Sequence, residues 1–278
     1  MTSTTSPTPN PTALEESWGR IRQPIAGVPV VATTVRQAAD ALRRAAQSVH
    51  AGGRTTGEHV HLASAQTIAL AASDRSMDEA VNGSGWTLPD GKPITWISAL
   101  RRDQPRLHQT RGLEVFEAVC EAGLPHGLKH YLLGSTDETL EKMQQALERR
   151  FPGIRIVGAV SPPFRPATEQ ELRERDAAIA ASGAQIVWVG LGTPKQDFEV
   201  ARLAASLPVV AMAVGAVFDF TAGTLQVAPR WLSAVGLEWL FRLVSEPKRL
   251  WHRYTVDSTT FLVAALRWGR RHRTRPAR

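Results

Sequence analysis

The feature that most constrains this chain is a rhythm in its middle third, where short apolar runs alternate with longer stretches of helical period. Lys129–Leu133 reads as a strand ending at Gly134, Asp137–Phe151 as a helix closed by Pro152-Gly153, and Ile154–Val160 as a strand. Thr168–Ser182 follows as a helix capped by Thr168, then a strand over Gln185–Gly190, a helix over Gln196–Ala205 and a strand over Val209–Val214. Parallel strands need crossovers long enough to hold a helix, and strands covered on both faces are apolar throughout. The rhythm therefore predicts an α/β fold: a Rossmann-like, mostly parallel sheet with helices on both faces. Upstream, residues 35–50 have helical spacing, His59–Ala65 reads as a strand, and Thr67–Ala80 as one helix. No repeat or linker interrupts the pattern, which sets one α/β domain over 21–228.

The two ends read differently. The start, rich in Ser, Thr and Pro, predicts a disordered tail over 1–20; it has neither the basic start nor the apolar run of a signal peptide. The C-terminal end carries the charge. The chain has a net charge of +7, yet from Arg230 onward eleven Arg and Lys face three acids, so the preceding residues are almost balanced. Residues 229–278 thus form a basic amphipathic helical appendage, with Leu237, Leu240, Phe241 and Val244 on an apolar face and Arg242, Lys248, Arg249 and Arg253 supplying charge. Such a segment seeks a polyanion, whether anionic lipid, diphosphate or nucleic acid. The longest uncharged stretch of interest to a bilayer, Pro208–Phe218, is about half of the roughly 20 residues a spanning helix needs. The single cysteine, Cys120, sits in a helical apolar pattern, which predicts a buried thiol and excludes disulfides and cysteine metal sites.

In an open parallel sheet ligands bind beyond the carboxyl ends of the strands, so the loops there hold the candidates. Leu88-Pro89-Asp90-Gly91 is either a plain turn or a loop tip offering the Asp90 carboxylate as a proton acceptor. Gly190-Leu191-Gly192-Thr193-Pro194-Lys195-Gln196-Asp197 suggests close backbone approach to a phosphate, but Lys195 stands where a dinucleotide fingerprint has its third glycine. Gln196 and Asp197 could equally cap a helix. In Gly215–Gly223, Asp219 lies between Phe218 and Phe220 and either caps a helix or grips ligand hydroxyls. Ser161-Pro162-Pro163-Phe164 is a rigid turn. His59 and His61 share a strand face, and His126 and His130 are four apart; neither pair has an acidic or cysteine neighbour in sequence, so no metal site is expected.

Taken together, PDG at 89–91, RG at 111–112, YLLGS at 131–135, FPGIRIVGAVSPPF at 151–164, VGLGTPKQDF at 189–198, VGAVFDFTAG at 214–223, APRW at 228–231 and GLEWLFRLVSEPKRLWHRY at 236–254 resemble the WecG/TagA/CpsF family, glycosyltransferase family 26. The resemblance implies an inverting, metal-independent enzyme that moves a sugar, often N-acetylmannosamine, from a UDP-sugar donor to a polyprenyl-diphosphate-linked sugar. Products of that family are precursors of teichoic acid, enterobacterial common antigen and exopolysaccharide. It implies Asp90 as general base, and Gln196 and Asp219 around the nucleotide-sugar together with Gly91, Gly134, Gly192 and Phe218. Arg242, Arg249 and Arg253 fall on the acceptor diphosphate. A cytoplasmic protein held peripherally on the anionic inner face of the membrane is implied too, with homo-oligomerisation left open. The chain departs from the family pattern at Leu62 and Ser64, where an Asn-containing segment is usual, and at Val227, His252 and Asp197. Two competing readings are a nucleic-acid-binding α/β protein using the terminal RWGRRHRTRPAR, and a nicotinamide-dependent oxidoreductase.

Overall fold

The apolar runs pair into one eight-stranded sheet. In the computed structural model, which describes residues 12–19, 21–51, 54–101, 104–229, 232 and 238–272, the strands are β1 (Arg22–Ile25), β2 (Val28–Val31), β3 (Glu58–Ala63), β4 (Trp86–Pro89), β5 (Lys129–Gly134), β6 (Arg155–Val160), β7 (Ile186–Gly190) and β8 (Val210–Ala213). Their order across the sheet is β1-β2-β4-β3-β8-β7-β5-β6. Only β1 runs antiparallel to its neighbour, and every other pair is parallel.

Alternation along the central strands shows why both faces are covered. On one face Val60, Leu62, Leu132, Trp188, Val210 and Met212 join a core with α2 (Val35–Ala51), α6 (Gly112–Gly123), α7 (Asp137–Arg150) and α10 (Val217–Ala222). On the other, Leu133, Val187, Val189, Ala211 and Ala213 meet α8 (Glu169–Ser182) and α9 (Lys195–Ser206). The same side continues over β2 and Ala63 beneath α3 (Ala65–Ser73), α4 (Arg75–Asn82) and α5 (Lys92–Ala99). A period of two with both residues apolar is what a doubly covered parallel sheet requires. Cys120 lies fully inside the first of these cores, where burial pushes its thiol well above the ordinary range, in keeping with an inert packing residue.

Two local readings are corrected, and one element has no counterpart among the expectations. The expected disordered tail contains α1 (Ala13–Trp18): Thr12 accepts a hydrogen bond from the Glu15 N–H at 3.0 Å, and Leu14 and Trp18 are fully buried, with Trp18 edge-on to Trp86 at 5.7 Å. Residues 1–11 lie outside the described residues. The single helix expected over Thr67–Ala80 is two, because Asp74 takes an extended conformation and accepts from the N–H groups of Ser76 and Met77 to start α4. The β1–β2 hairpin was not foreseen. Its runs carry Pro24 and Pro29, which argue against strands, and its two-residue turn is Ala26-Gly27 with φ of 50° and 97°, a left-handed pair normally signalled by Asn-Gly.

The C-terminal segment forms α11 (Glu238–Ser245), α12 (Pro247–His252), a π-helical turn over Arg253–Asp257 and α13 (Ser258–His272). It is anchored to the α/β domain. Phe261 is fully buried against α3, and Trp268 lies beside Gly27 with the Arg101 guanidinium 4.1 Å from its ring centre. The outer faces stay in solvent: Leu240 and Val244 of the expected apolar face are exposed, as are Trp239, Trp251, Leu262 and Leu266. Leu237 and the Arg-rich end from 273 lie outside the described residues. Among the described residues no helix is long and apolar enough to cross a membrane.

Candidate active site

Because the parallel strands share one direction, the loops at their carboxyl ends converge on a single open cleft of about 1590 Å³. Ser64 enters it after β3, Asp90 and Gly91 after β4, Ser135 and Thr136 after β5, Pro162 and Pro163 after β6, Gly190 to Gly192 after β7, and Gly215 to Val217 after β8. Most of these loops lead straight into helices, so helix N-termini ring the cavity and give it a positive backbone field suited to an anion. Trp239, Leu250 and Ser258 of the C-terminal segment close the remaining side.

Asp90 stands directly after β4, half-buried on the cleft wall. The Gly112 N–H at the start of α6 donates to its Oδ1 at 3.0 Å, while Gln109 Nε2 donates to its main-chain carbonyl at 2.8 Å. One carboxylate oxygen is thereby fixed in direction by a helix terminus. Of the sequence's two alternatives, the plain turn is not formed: Pro89 ends β4, Gly91 is a bend ahead of α5, and the Asp90 carboxylate between them lies on the cleft wall.

Gln196 is the residue that organises the floor. Its side chain is only 4% exposed, and its Oε1 accepts from the Gly192 N–H at 3.1 Å and from the Gly215 N–H at 2.9 Å, tying the β7 loop to the β8 loop through one atom. Both glycines have left-handed φ, 75° and 61°, so the two loops can fold back onto that oxygen without a side-chain penalty. Capping of its own helix, the bland alternative for Gln196, is not what the side chain does.

The other sequence candidates divide. Gly91, Gly192 and Asp219 line the cleft beside Asp90 and Gln196. Asp219 accepts from Thr224 Oγ1 at 3.4 Å through Oδ1, and its carbonyl accepts from the N–H groups of Thr224 and Leu225, closing the turn after α10. Phe218 does not reach the cleft. It is 1% exposed and packs in the core against Gly190, because the first turn of α10 turns position 218 inward and position 219 outward. Gly134 is likewise structural: its φ is 138°, and a Cβ there would run into the carbonyl of Gly190 on β7. Arg242, Arg249 and Arg253 fall on α11, α12 and the turn after it, but their side chains, like that of His252, lie outside the described residues. At the departures from the family pattern, Leu62 is part of the cleft wall, Ser64 caps α3 by accepting from the Thr67 N–H at 3.1 Å, and Val227 faces the cleft from an exposed position.

Sequence reasoning missed a buried chain of polar side chains beneath this floor. His61 Nδ1 lies 2.9 Å from Asp197 Oδ1, His61 Nε2 is 2.9 Å from His59 Nδ1, and His59 Nε2 is 3.1 Å from Ser84 Oγ. The acidic companion of the histidine pair comes from 136 positions away, so no local spacing announces it. The usable signal was the shared strand face of 59 and 61 together with an acid in the first turn of a helix crossing that face. Among the described residues no group of three or more His, Cys, Asp or Glu is placed to hold a metal ion.

Buried imidazoles set an acid limit on stability. Burial, helped by the neighbouring His61, holds His59 down at about 3, and burial alone holds His130, which accepts from Trp188 Nε1–H at 3.1 Å, at about 4. The unfolded chain takes up these protons near pH 6.5 while the folded chain refuses them, so stability is full above that pH and falls as pH drops towards 4. Each group contributes a slope that grows from about half of 1.4 kcal/mol per pH unit at pH 6.5 towards the full value below it. Glu58, raised by burial, opposes the trend, because the folded chain takes up that proton more readily than the unfolded one. Unfolding free energy measured in urea should therefore fall by about 3 kcal/mol between pH 6.5 and 5; a flat profile there would contradict the buried neutral state of both rings.

A family model described as glycosyl transferase, WecG/TagA/CpsF family, matches residues 23–275, which takes in the sheet, every strand-end loop of the cleft and the C-terminal helices that wall it. The motifs of the sequence and the architecture that carries them thus agree, and the chain belongs to the WecG/TagA/CpsF family of glycosyl transferases.

Proposed function

We propose that this glycosyl transferase takes its sugar from a UDP-sugar and hands it, with inversion, to a polyprenyl-diphosphate-linked sugar at the inner face of the membrane, in synthesis of a cell-wall or exopolysaccharide precursor. The observation that carries this reading is the placement of the Asp90 carboxylate on the same cleft as the glycine loops tied by Gln196. In the proposed reaction Asp90 accepts the proton of the acceptor hydroxyl as that oxygen attacks the anomeric carbon. The bond from that carbon to the UDP oxygen breaks, and the diphosphate leaves carrying its electron pair. Helix N-termini and loop N–H groups aimed at the diphosphate stabilise the charge that grows on it.

The C-terminal helices support the lipid side of the proposal. They carry exposed Val244, Trp251, Leu262 and Leu266 in a stretch whose sequence holds eleven Arg and Lys against three acids from Arg230 onward, a composition suited to anionic lipid. Arg242, Arg249 and Arg253 belong to this segment, and a guanidinium fork suits a diphosphate, so they are the proposed acceptor contacts. Melting the protein with UDP, a panel of UDP-sugars, or NAD tests the donor class. A hundredfold excess over Kd stabilises by about 2.7 kcal/mol, so UDP should raise Tm and NAD should not. Release of UDP on adding a short-chain prenyl-diphosphate-sugar identifies the acceptor; stabilisation by NAD with none by UDP would overturn the proposal.

A further inference from the structure

Gln196 and Asp197 are consecutive in the first turn of α9, yet they point opposite ways: Gln196 into the cleft floor and Asp197 into the protein beneath β3. Asp197 is 1% exposed, its Oδ1 is taken by His61 and its Oδ2 has no hydrogen-bond partner. A buried carboxylate with one oxygen unmatched is costly to keep. The cost secures one thing, a fixed attachment between the N-terminus of α9 and the sheet. With both imidazoles neutral the chain has a single polarity: Ser84 O–H donates to His59 Nε2, His59 Nδ1–H donates to His61 Nε2, and His61 Nδ1–H donates to Asp197. Gly85 holds the far side in place, since a Cβ there would lie 2.7 Å from His59 Cε1 and 3.0 Å from His61 Nε2.

We propose that Asp197 and His61 are positioning residues for the donor diphosphate, acting through α9: they hold its first turn so that Gln196 keeps the Gly192 and Gly215 loops closed on the phosphate-binding floor. The inference rests on the UDP-sugar reading above. Neither side chain touches the cleft, so neither enters the chemistry. What they set is the angle of a helix terminus and, through one glutamine oxygen, the separation of two loops.

The test uses the full chain, with UDP as probe and turnover as a separate readout. Asp197→Leu removes the tie without leaving an unpaired buried charge. It should weaken UDP binding about tenfold, the cost of one buried hydrogen-bonded link, and raise the donor KM in step. The acceptor KM and kcat at saturating donor should stay within about twofold, because the reacting groups are untouched. Asp197→Asn, which can still accept from His61 Nδ1–H, should recover most of the affinity. Gly85→Ala, which disturbs the imidazoles from the β4 side without touching α9, should weaken UDP in the same sense. Wild-type UDP affinity in Asp197→Leu with only a lowered Tm overturns the proposal and makes the chain purely a stabilising device, as does a fall confined to kcat. If UDP fails to bind the wild-type protein, the donor reading itself falls and the inference with it.

Discussion

Asp90→Asn should leave the protein folded, still able to bind UDP, and slower in sugar transfer by about 10² to 10⁴, the range that a positioned general base supplies. The substitution is informative because of what it keeps. An asparagine Oδ1 can accept the Gly112 N–H that now reaches Asp90 Oδ1 at 3.0 Å, so the start of α6 stays capped and the loop keeps its course. Stability should therefore change by less than about 1 kcal/mol, while the group proposed to take the acceptor proton is gone. Asp90→Ala separates the roles from the other side, since it loses both the cap and the base. Normal turnover in the Asn variant, with destabilisation appearing only in the Ala variant, would make Asp90 a helix cap and nothing more.

The largest stability effect is expected at Gly134, where β5 meets the loop beside β7. Its φ of 138° is a conformation that residues with a side chain rarely adopt, and a Cβ would collide with the carbonyl of Gly190, with that carbonyl carbon only 2.7 Å away. Both obstacles are backbone, so no rotamer change relieves them. Gly134→Ala should cost about 3 to 5 kcal/mol, the sum of the strained conformation and the forced separation of two central strands. Urea unfolding would measure it, and a cost under about 1 kcal/mol would mean that the strand ends are looser than the register Gly134↔Gly190 indicates. The affected edge also carries Gly190 to Gly192, so UDP affinity should fall in whatever fraction remains folded.

How much could be read from the residues alone follows from the range of the forces involved. The β5-to-β8 unit was legible because each of its strands is apolar on both faces and two of its crossover helices, α7 and α8, open on a threonine cap, all properties of adjacent residues. The β1–β2 hairpin was not, since Pro24 and Pro29 face each other in register at a position where the turn, not the strand propensity, does the pairing. The helix α1 was hidden for a related reason. It contributes only Leu14 and Trp18 to the core, too little apolar surface to stand out against the polar run before it, and its order comes from the Trp18–Trp86 contact and the hydrogen bond from Thr12 to Glu58. At the cleft, Asp90, Gly91, Gly192, Gln196 and Asp219 were recoverable because loops after strands are where such a sheet binds ligands. Phe218 and Gly134 sat in the right loops but on the inward side, which depends on one turn of helix and one φ angle. The Asp197–His61 contact joins residues with no shared local pattern and needed the fold itself.

Phe261 gives the end of the chain a meaning beyond attachment. Its ring is set like a rivet into the layer formed by α3, while the same helix begins with Ser258 on the cleft wall and turns Leu262 and Leu266 outwards. Whatever pulls on the outer side of that helix pulls on the wall as well. A chain shortened before Ser258 for easier handling would lose the rivet, leave an open socket under α3 and reshape the mouth of the cleft in a single cut.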